Sequence, residues 1–370
     1  MIIGIDVSML NYQGSGVANY TFNLVKNLLK YGKENEYRLF YSSLRRPKNF
    51  YYLEELRNLG AKIYDYPLPI SIWKILWGKY HLVPVEWLIG KVDVFLSSDF
   101  LRPPLLKGTK GVTTIHDLTW KIFPQFHNDD IVEAHQRKLD KTIKYGDTVI
   151  VDSENTKRDL LKFYPEINKA ETIHLAVGDH FKRIRNKVEV KKVLKKYKVK
   201  FPGNYLLYVG AIEPRKNLET AIEVFNKFVS RKEYSDYVFL IVGRAGWKNE
   251  QIFNLINKLK LENKVRFVGY VEDRDLPYFY NATKVFVYLS KYEGFGLPPI
   301  EAASCGTPTL LYNNSSLKEI FKDGYPYTSH GKELSDLISL VKGKTDIKKY
   351  AYDFSWKKYC TEFLKTVKTI

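Results

Sequence analysis

Residues 205–228 read YLLYVGAIEPRKNLETAIEVFNKF and predict a buried strand, a tight turn and an amphipathic helix in succession. Gly210 ends the strand, and the basic pair Arg215 and Lys216 stands just before a helix that starts near Leu218. Basic side chains beside a helix start can bind a diphosphate, because guanidinium, ammonium and backbone N–H groups attract the same anion. The same residue types are also common on solvated surfaces, so the pair by itself leaves both interpretations open.

Short apolar strands alternate with helical segments along the whole chain, in two series. The strands of the first series are MIIGIDVS, YRLFYS, AKIYDYPL, DVFLSS, GVTTIHD and TVIVDS, and the series ends near ETIHLAVGD. The strands of the second series are NYLLYVGAI, YVFLIVG, VRFVGY, KVFVYLS and TPTLLYN. Such alternation predicts parallel sheets, so we expect an α/β protein of two doubly wound domains with a cleft between them. In these sheets ligands bind at the carboxyl ends of the strands.

The chain of 370 residues is 45% hydrophobic and 27% charged, enough for two globular domains. Its only cysteines are Cys305 and Cys360, which excludes a disulfide framework and fits a reducing cytoplasm. The opening MIIGIDVSML is a strand pattern without a signal-peptide core. The apolar segment Tyr66–Gly90 contains charged residues and should not span a bilayer. We therefore expect a cytoplasmic protein, either soluble or peripheral at the inner face of the membrane.

The excess of Lys and Arg over Asp and Glu, 59 against 41, indicates phosphate-bearing partners. Half of the resulting charge of +18 lies in Lys182–Lys200, where ten basic residues and one acid fit a solvated helix face or a membrane-binding segment. Trp73, Trp77 and Trp87, interleaved with lysines, fit either a buried helix face or an anionic membrane surface. A basic nucleic-acid-binding protein is the alternative class, although no known binding motif supports it.

Residues 292–308 read YEGFGLPPIEAASCGTP, in which Glu293 and Glu301 flank a Gly-Phe-Gly-Leu turn and two prolines. The run from Glu301 onwards predicts the first turns of a helix, since prolines are favoured at a helix start. The free N–H groups of that helix would face the turn, where an anion or polar ligand oxygens can bind. The motif therefore indicates a ligand that needs an anion-binding turn and two carboxylates at once.

Gly14 and Gly16 stand between the first strand and an amphipathic helix. Their pattern, G-x-G-x-x-N, falls short of a dinucleotide fingerprint, and no ribose-binding acid follows at the usual distance. A nicotinamide cofactor is therefore poorly supported. The turn serves either the chain reversal alone or a ligand contact as well.

The stretches GAIEPRKNL, VGRAGW, VRFVGYVEDRDLPYFYNAT and YEGFGLPPIEAASCGTP, in this order and spacing, resemble the nucleotide-sugar domain of retaining glycosyltransferases of family four. Glu293 and Glu301, separated by seven residues, match the signature pair of that family. The stretches DVFLSSDFLRPPL, VTTIHDLTWKIFPQFH and TVIVDSENTKRDLLKFY are similar to the acceptor domain of its mannosyltransferase-like members. The resemblance thus covers nearly the whole chain.

The resemblance implies the GT-B fold, two Rossmann-like domains facing across a cleft. Residues 1–178 would form the acceptor domain, residues 179–350 the nucleotide-sugar domain, and residues 351–370 a helix that crosses back to the first domain. The reaction would transfer a hexose, with retention at the anomeric carbon, onto a glycan or lipid-linked acceptor in polysaccharide biosynthesis. No cofactor and no metal are expected.

The resemblance also assigns the site. Glu301 would hold the ribose hydroxyls, because a carboxylate has two acceptor oxygens for a diol, and Glu293 would lie near the donor sugar. Arg215 and Lys216 would neutralise the leaving diphosphate, and His116 would face the donor sugar. The implied catalytic residues are Glu293, His116, Arg215 and Lys216. The implied donor-binding residues are Gly14, Gly16, Gly210, Arg215, Lys216, Val271, Asp273, Glu293, Gly294, Phe295, Gly296, Leu297 and Glu301.

Two details bear on the donor. Many relatives have an arginine where this chain has Ala211, so Arg215 would carry more of the phosphate contact. Asp273 could accept the N–H donors of a guanine, which favours GDP-mannose, while a UDP-sugar stays open.

Asp273, Arg274 and Asp275 spell the Asp-x-Asp of metal-dependent transferases, but they precede a helix, where acids act as caps. Hydrolysis by the glutamate pair is the poorer interpretation, because both lie on one loop and helix rather than on opposing walls.

Overall fold

The computed structural model describes four stretches of the chain: residues 1–47, 50–244, 250–343 and 354–370. The expected domain limit at residue 350 and residues 245–247 of the VGRAGW stretch lie outside the described residues. The chain forms two compact units. Met1–Ala176 and Phe354–Ile370 make up the first unit, and the described residues from Val177 to Gly343 make up the second.

A seven-stranded parallel sheet forms the centre of the first unit. Its strands are β1 (Ile2–Asp6), β2 (Glu36–Ser42), β3 (Lys62–Tyr66), β4 (Val94–Ser97), β5 (Lys110–Ile115), β6 (Thr148–Val151) and β7 (Ala170–Thr172). They are arranged in the order β3-β2-β1-β4-β5-β6-β7, and every neighbouring pair is parallel. The direction of winding reverses between β1 and β4, which is where doubly wound sheets bind ligands.

A five-stranded parallel sheet forms the centre of the second unit. Its strands are β8 (Tyr205–Val209), β9 (Val238–Val242), β10 (Val265–Gly269), β11 (Val285–Tyr288) and β12 (Thr309–Leu311). The order is β10-β9-β8-β11-β12, so the winding reverses between β8 and β11. Every residue of β8 and β11 is buried, as expected for central strands covered on both faces.

Helices connect the strands. They are α1 (Gly16–Tyr31), α2 (Tyr52–Asn58), α3 (Ile70–Trp73), α4 (Glu86–Ile89), α5 (Thr119–Ile122), α6 (Asp129–Tyr145), α7 (Glu154–Phe163), α8 (Lys187–Lys196), α9 (Leu218–Val229), α10 (Glu250–Lys258), α11 (Leu276–Ala282), α12 (Leu297–Ser304), α13 (Glu333–Val341) and α14 (Trp356–Lys368). A π-helix, Lys74–Lys79, continues α3. Short 3-10 helices cover Ser8–Asn11, Pro124–Phe126, Pro214–Lys216, Lys232–Tyr234 and Ser315–Glu319. Among the described helices, none is both long and apolar enough to cross a bilayer.

Helix α14, although it comes last in the chain, packs on α1 in the first unit. The hydroxyl groups of Tyr20 and Tyr359 lie 2.7 Å apart, and the rings of Tyr20 and Trp356 are 6.4 Å apart. Gly32, which follows α1, leaves room for the Leu364 side chain, since a Cβ there would lie 2.8 Å from Leu364 Cδ1. The first unit therefore contains both ends of the chain.

Helix α12 begins four residues earlier than the sequence indicated. It starts at Leu297 rather than at Glu301, so Pro298 and Pro299 occupy its first turn. Gly296 precedes it with φ +102°, a conformation that favours glycine, and a Cβ there would lie 2.7 Å from the Leu317 side chain. Proline has no N–H group. Of the first three residues of this helix, only Leu297 therefore has a backbone amide that could bind an anion, fewer than the sequence indicated.

The tryptophans of the predicted Trp-rich segment differ in environment. Trp73 is 2% exposed and Trp77 is fully buried, and both pack on Phe40 in the core of the first unit. Their indole N–H groups donate to buried partners, Trp73 to Ser42 Oγ at 2.7 Å. Trp87 is 70% exposed. The interpretation that all three tryptophans lie on a membrane-binding surface is therefore wrong, because Trp73 and Trp77 belong to the core.

Helix α8 carries the basic segment Lys182–Lys200. All ten of its Lys and Arg residues are exposed, while Val190, Val193 and Leu194 are buried. On the opposite helix, the Tyr278 hydroxyl donates to Glu189 at 2.5 Å. The segment therefore has the amphipathic pattern of a helix whose basic face is solvated.

Candidate functional site

Two loops of the second unit meet at the carboxyl edge of its sheet, where the winding reverses. One follows β8 and the other follows β11. The Lys291 N–H donates to the Arg215 carbonyl at 3.0 Å, and Asn217 Nδ2 donates to the Leu289 carbonyl at 3.0 Å. Asn217 adopts a left-handed conformation with φ +54°, which turns its side chain toward the second loop. These backbone contacts hold the basic pair beside the glutamate motif.

Five side chains from these loops form what we call the Glu293 cluster: Glu213, Arg215, Lys216, Tyr288 and Glu293. The Arg215 guanidinium donates to Glu293 Oε2 at 2.9 Å and to Glu213 Oε1 at 2.6 Å. Lys216 Nζ donates to both carboxylate oxygens of Glu293, at 2.8 and 2.9 Å, and to the Tyr288 hydroxyl. The Tyr288 hydroxyl donates to Glu293 Oε1 at 2.8 Å. Two cations and two carboxylates thus neutralise each other.

Burial and ion pairing act in opposite directions on the charges of the cluster. Glu293 is 5% exposed, and burial alone would raise its pKa, but Lys216 and Arg215 outweigh burial and hold the pKa at about 2. Burial and the neighbouring Arg215 lower the pKa of Lys216. Glu293 is therefore ionised at neutral pH, and both Arg215 and Lys216 are hydrogen-bonded to it.

The turn after Glu293 is held by serines from the 3-10 helix Ser315–Glu319. The Glu293 N–H donates to Ser315 Oγ at 3.0 Å. The Ser316 hydroxyl contacts the carbonyls of Glu293 and Phe295 at 2.9 and 2.8 Å. The Phe295 ring and Gly294 are buried.

Glu301, in the second turn of α12, has a different environment. The Tyr280 hydroxyl donates to its Oε2 at 2.7 Å. Burial, and secondly the charge of Asp273, raise the pKa of Glu301 to about 8. Asp273 in turn lies 2.8 Å from Nε2 of His180. The two glutamates of the motif therefore differ in charge at neutral pH.

The remaining predicted donor-binding residues of the second unit have mostly structural contacts. The Gly210 N–H donates to the Val242 carbonyl at 2.9 Å, so this amide belongs to the sheet. The Val271 side chain is buried.

Asp275 holds the N-cap position of α11 but does not cap it, because its backbone is α-helical and its carboxylate accepts from the Tyr197 hydroxyl at 2.9 Å. The cap interpretation of this acid is therefore wrong.

The predicted residues of the first unit lie at the carboxyl edge of its sheet. Gly14 has φ +79°, and Gly16 opens α1, whose N-cap Ser15 accepts from the Ala18 N–H at 3.2 Å. His116 follows β5, with its Nδ1 2.6 Å from Asp152 Oδ2 and its Nε2 3.2 Å from the Ser98 carbonyl oxygen. Burial lowers the pKa of His116, but the charge and the hydrogen bond of Asp152 together outweigh it, so the pKa lies above its ordinary value.

Several residues of these groups had no signal in the sequence. Tyr280 lies on a helix, and Tyr288 and Asp152 lie at strand ends, positions that have no special pattern in the sequence. They belong to these groups only through their hydrogen bonds with Glu301, Glu293 and His116, respectively. Glu213 stands within GAIEPRKNL, beside the basic pair, and could have been singled out by that position. Among the described residues, no group of three or more His, Cys, Asp and Glu side chains could hold a metal ion.

Comparison with known proteins agrees with this architecture. Residues 189–342 match the family model described as glycosyl transferases group 1. The O-antigen chain mannosyltransferase B of Escherichia coli is 29% identical over 325 residues, which are 85% of this chain and 83% of that protein. The O-antigen chain mannosyltransferase RfbU of Salmonella typhimurium is 27% identical over 234 residues, 63% of this chain and 60% of that protein.

Solved structures share the fold. The crystal structure of Anabaena HepE in complex with UDP and glucose superposes with a TM-score of 0.71 at 14% identity, covering 100% of this chain and 99% of that one. The sucrose-phosphate synthase of Thermosynechococcus elongatus superposes with a TM-score of 0.69 at 16% identity, covering 100% and 94%. The expected α/β fold of two Rossmann-like domains, the GT-B class, is confirmed. The nucleic-acid-binding alternative has no support in these comparisons.

The opposite pKa shifts of the two glutamates predict opposite effects of removing their charges. Glu293→Gln should destabilise the protein at neutral pH by about 3 kcal/mol. The lowered pKa of Glu293 stabilises the folded state at every pH above the pKa of the unfolded chain, and this contribution is lost as the pH falls toward 2. Glu301→Gln should raise the melting temperature near pH 9 and change little near pH 5, because a raised pKa costs stability as the pH rises through about 8. Thermal unfolding at several pH values measures both.

Glu272→Gln is the matched control, since Glu272 is an exposed acid of the same unit that pairs with Arg274. Its melting temperature should follow that of the unaltered protein at every pH. A destabilising effect of Glu301→Gln near pH 9 that equals that of Glu293→Gln would contradict the assignment of opposite charge states.

Proposed function

The chain is a mannosyltransferase-like glycosyltransferase of group 1 that acts in polysaccharide biosynthesis, and from this premise we propose the reaction and the roles of its residues. The second unit binds a nucleoside-diphosphate sugar, and the first unit binds a glycan or lipid-linked acceptor. A hexose, with mannose as the first candidate, is transferred with retention at the anomeric carbon. Relatives named as mannosyltransferases support the choice of sugar.

The observation that carries the proposal is the buried, neutral Glu293 cluster at the carboxyl edge of the second sheet. Arg215 and Lys216 are kept in fixed orientations by Glu293, so they need little rearrangement to interact with a diphosphate. A fixed cation stabilises the charge that develops on a leaving diphosphate more than it stabilises the bound donor. The pair thereby has the role that a divalent ion has in other transferases, and we propose that no metal takes part.

The reaction then follows from the charges. The bond between the anomeric carbon and the diphosphate oxygen breaks, and the acceptor hydroxyl forms its bond on the same face of the sugar. The hydroxyl proton passes to the leaving diphosphate. The ionised Glu293 stabilises the positive charge that develops on the sugar. Glu301 accepts hydrogen bonds from the ribose hydroxyls, and the Gly296–Leu297 backbone contacts sugar or phosphate oxygens.

Removing either cation of the pair should slow the chemical step. We expect Lys216→Ala and Arg215→Ala to lower kcat by about 10²- to 10³-fold, the scale for the loss of one electrostatic stabiliser. Arg215→Lys should recover only part of the rate, because an ammonium is a point charge and does not reproduce the planar fork by which the guanidinium reaches both Glu293 and Glu213. Steady-state kinetics of the purified variants measure the effect.

Arg274→Ala is the control, because Arg274 is a 77%-exposed arginine of the same unit, and its kcat should change little. Turnover should also survive EDTA. The proposal fails if EDTA abolishes turnover and Mg²⁺ or Mn²⁺ restores it, or if both alanine variants fold correctly and keep near-normal rates.

For the base of the donor we propose guanine, recognised by Asp273. The carboxylate is in contact with His180, so the guanine N–H groups would replace that contact. Titration calorimetry should give tighter binding for GDP than for UDP and ADP, and Asp273→Asn should weaken GDP binding about tenfold, the scale of one charge-assisted hydrogen bond. Asp236→Asn, an exposed acid bonded to Asn204, is the control. Equal or tighter binding of UDP would remove the guanine proposal.

We further propose that the protein is peripheral at an anionic membrane through a surface of the first unit, the Trp87 surface. Its exposed apolar side chains are Leu82 (54% exposed), Trp87 (70%), Leu106 (42%) and Tyr145 (47%). Contacts of neighbouring residues link them: Glu86, next to Trp87, accepts from the Leu106 N–H, and His81, next to Leu82, stacks on Tyr145.

Charge complementarity supports a bilayer of anionic lipids as the partner of this surface. Leu106 and Tyr145 line a cavity of about 310 Å³ together with the exposed Lys107, Lys110 and Lys169. The single acid lining it, Asp147, is neutralised by Arg102 at 2.7 Å. Apolar side chains surrounded by lysines suit the interface between lipid headgroups and acyl chains.

Sedimentation with vesicles tests the membrane proposal. The protein should bind vesicles that contain phosphatidylglycerol more than pure phosphatidylcholine, with an affinity that falls with salt. Trp87→Ala should weaken binding about threefold or more without loss of stability, while Phe253→Ala, an exposed aromatic residue of the second unit, should not. Equal binding to both kinds of vesicle, or tighter binding to random duplex DNA at the same salt, would contradict it.

A further inference from the structure

The ring of His116 has an acceptor at each nitrogen. Nδ1 lies 2.6 Å from a carboxylate oxygen of Asp152, which follows β6, and Nε2 lies 3.2 Å from the Ser98 carbonyl oxygen, which follows β4. Three neighbouring strand ends of the first sheet thus determine the orientation of one imidazole. The edge of the Tyr20 ring packs against it at 4.7 Å between centroids. The side chain is 23% exposed, so a ligand can reach it.

This arrangement constrains the protons of the ring. A carbonyl oxygen only accepts hydrogen bonds, so Nε2 must carry a hydrogen. An ionised carboxylate also only accepts, so Nδ1 must carry one as well. A neutral imidazole has a single N–H and would leave one of these short contacts without a proton. Because imidazole is the stronger base of the pair, the additional proton belongs on His116.

We propose that Asp152 is a positioning residue that keeps His116 as an imidazolium, so that His116 presents a fixed positive charge, and no basic nitrogen, at the carboxyl edge of the first sheet. This rests on the proposed function in one respect, that a ligand binds at the carboxyl edge of the first sheet. A charged donor forms a shorter and stronger hydrogen bond than a neutral one. The second carboxylate oxygen of Asp152 is buried without a hydrogen-bond partner among the described residues, so its interaction is directed at His116.

Other ionisable groups face the pair from the surrounding elements. They are Asp99 after β4, Asp117 after β5, His135 and Lys138 on α6, His174 after β7, Tyr20 on α1 and Tyr359 on α14. Lys138 Nζ donates to the Thr114 carbonyl at 2.7 Å, and burial lowers the pKa of Lys138 to about 8. Its charge opposes protonation of His116, and that of Asp99 favours it. Asp152 is hydrogen-bonded directly to the His116 ring, at 2.6 Å.

The ring nitrogens can be observed directly by ¹⁵N NMR, with the His116 signals assigned by comparison with His116→Gln. At about pH 7.5 both nitrogens of His116 should have chemical shifts of protonated nitrogen. In Asp152→Asn the midpoint of the His116 titration should fall by at least about one pH unit, since a partner of opposite charge at this distance shifts a pKa by about 1–3. An acceptor-type shift for either nitrogen in the unaltered protein overturns the proposal.

Kinetics test the role in the reaction. The loss of kcat/KM in Asp152→Asn should grow with pH, being at least about tenfold larger near pH 7.5 than near pH 5.5, where His116 regains its proton. A loss that is equal at all pH values, or no loss despite the NMR shift, overturns the proposal. The NMR result does not depend on turnover, so it stands even if the proposed transferase reaction fails its own tests.

Asp147→Asn is the matched control. Asp147 is also a buried aspartate, it directly precedes β6, and it pairs with Arg102 at the opposite edge of the same sheet. Its substitution should destabilise the first unit in a similar way and leave the His116 titration unchanged. A shift of the His116 midpoint in Asp147→Asn equal to that in Asp152→Asn would show that loss of stability, and not the contact with His116, moves the titration.

Discussion

At the edge of the second sheet, two buried carboxylates and two largely buried cations each need a partner of opposite charge, and Glu293 meets most of this requirement. Its two carboxylate oxygens accept from Arg215, Lys216 and Tyr288, while Glu213 accepts from the other side of the guanidinium. These side chains come from two loops on either side of the reversal point of the sheet. Ion pairing therefore holds the loops together at the carboxyl edge of the sheet, the position at which doubly wound sheets bind ligands.

The two glutamates of one short motif have opposite properties because their neighbours differ. Cations surround Glu293 and keep it ionised, whereas Glu301 has the Tyr280 hydroxyl and a nearby aspartate, and burial favours its protonated form. In the proposed reaction these states suit different tasks. A permanent charge stabilises charge on the sugar, and a group that can both donate and accept hydrogen bonds suits a pair of hydroxyls.

The first unit uses the same principle on a smaller scale. His116 follows β5 and is partly exposed. Asp152 and the Ser98 carbonyl, which follow the two neighbouring strands, hold its ring by hydrogen bonds. In both units, parallel strands bring together residues that are far apart in the chain, and polar groups at the strand ends fix one another. The comparisons show the class of enzyme and the fold, and the charges at the two sheet edges are what the proposals on mechanism rest on.

The sequence by itself determined the two series of strands, and its resemblance to a known family indicated the GT-B class of fold and a site centred on the stretch from Tyr292 to Pro308. Periodicity and glycine or proline at turns are local properties, so they can be recognised without coordinates. The sequence did not determine where α12 starts, which is at Leu297. It also did not separate the core residues Trp73 and Trp77 from the exposed Trp87. Nor did it determine that Arg215 and Lys216 pair with Glu293. Burial and ion pairing depend on segments more than 70 residues apart, such as Lys216 and Glu293, and only the tertiary structure decides which of them meet.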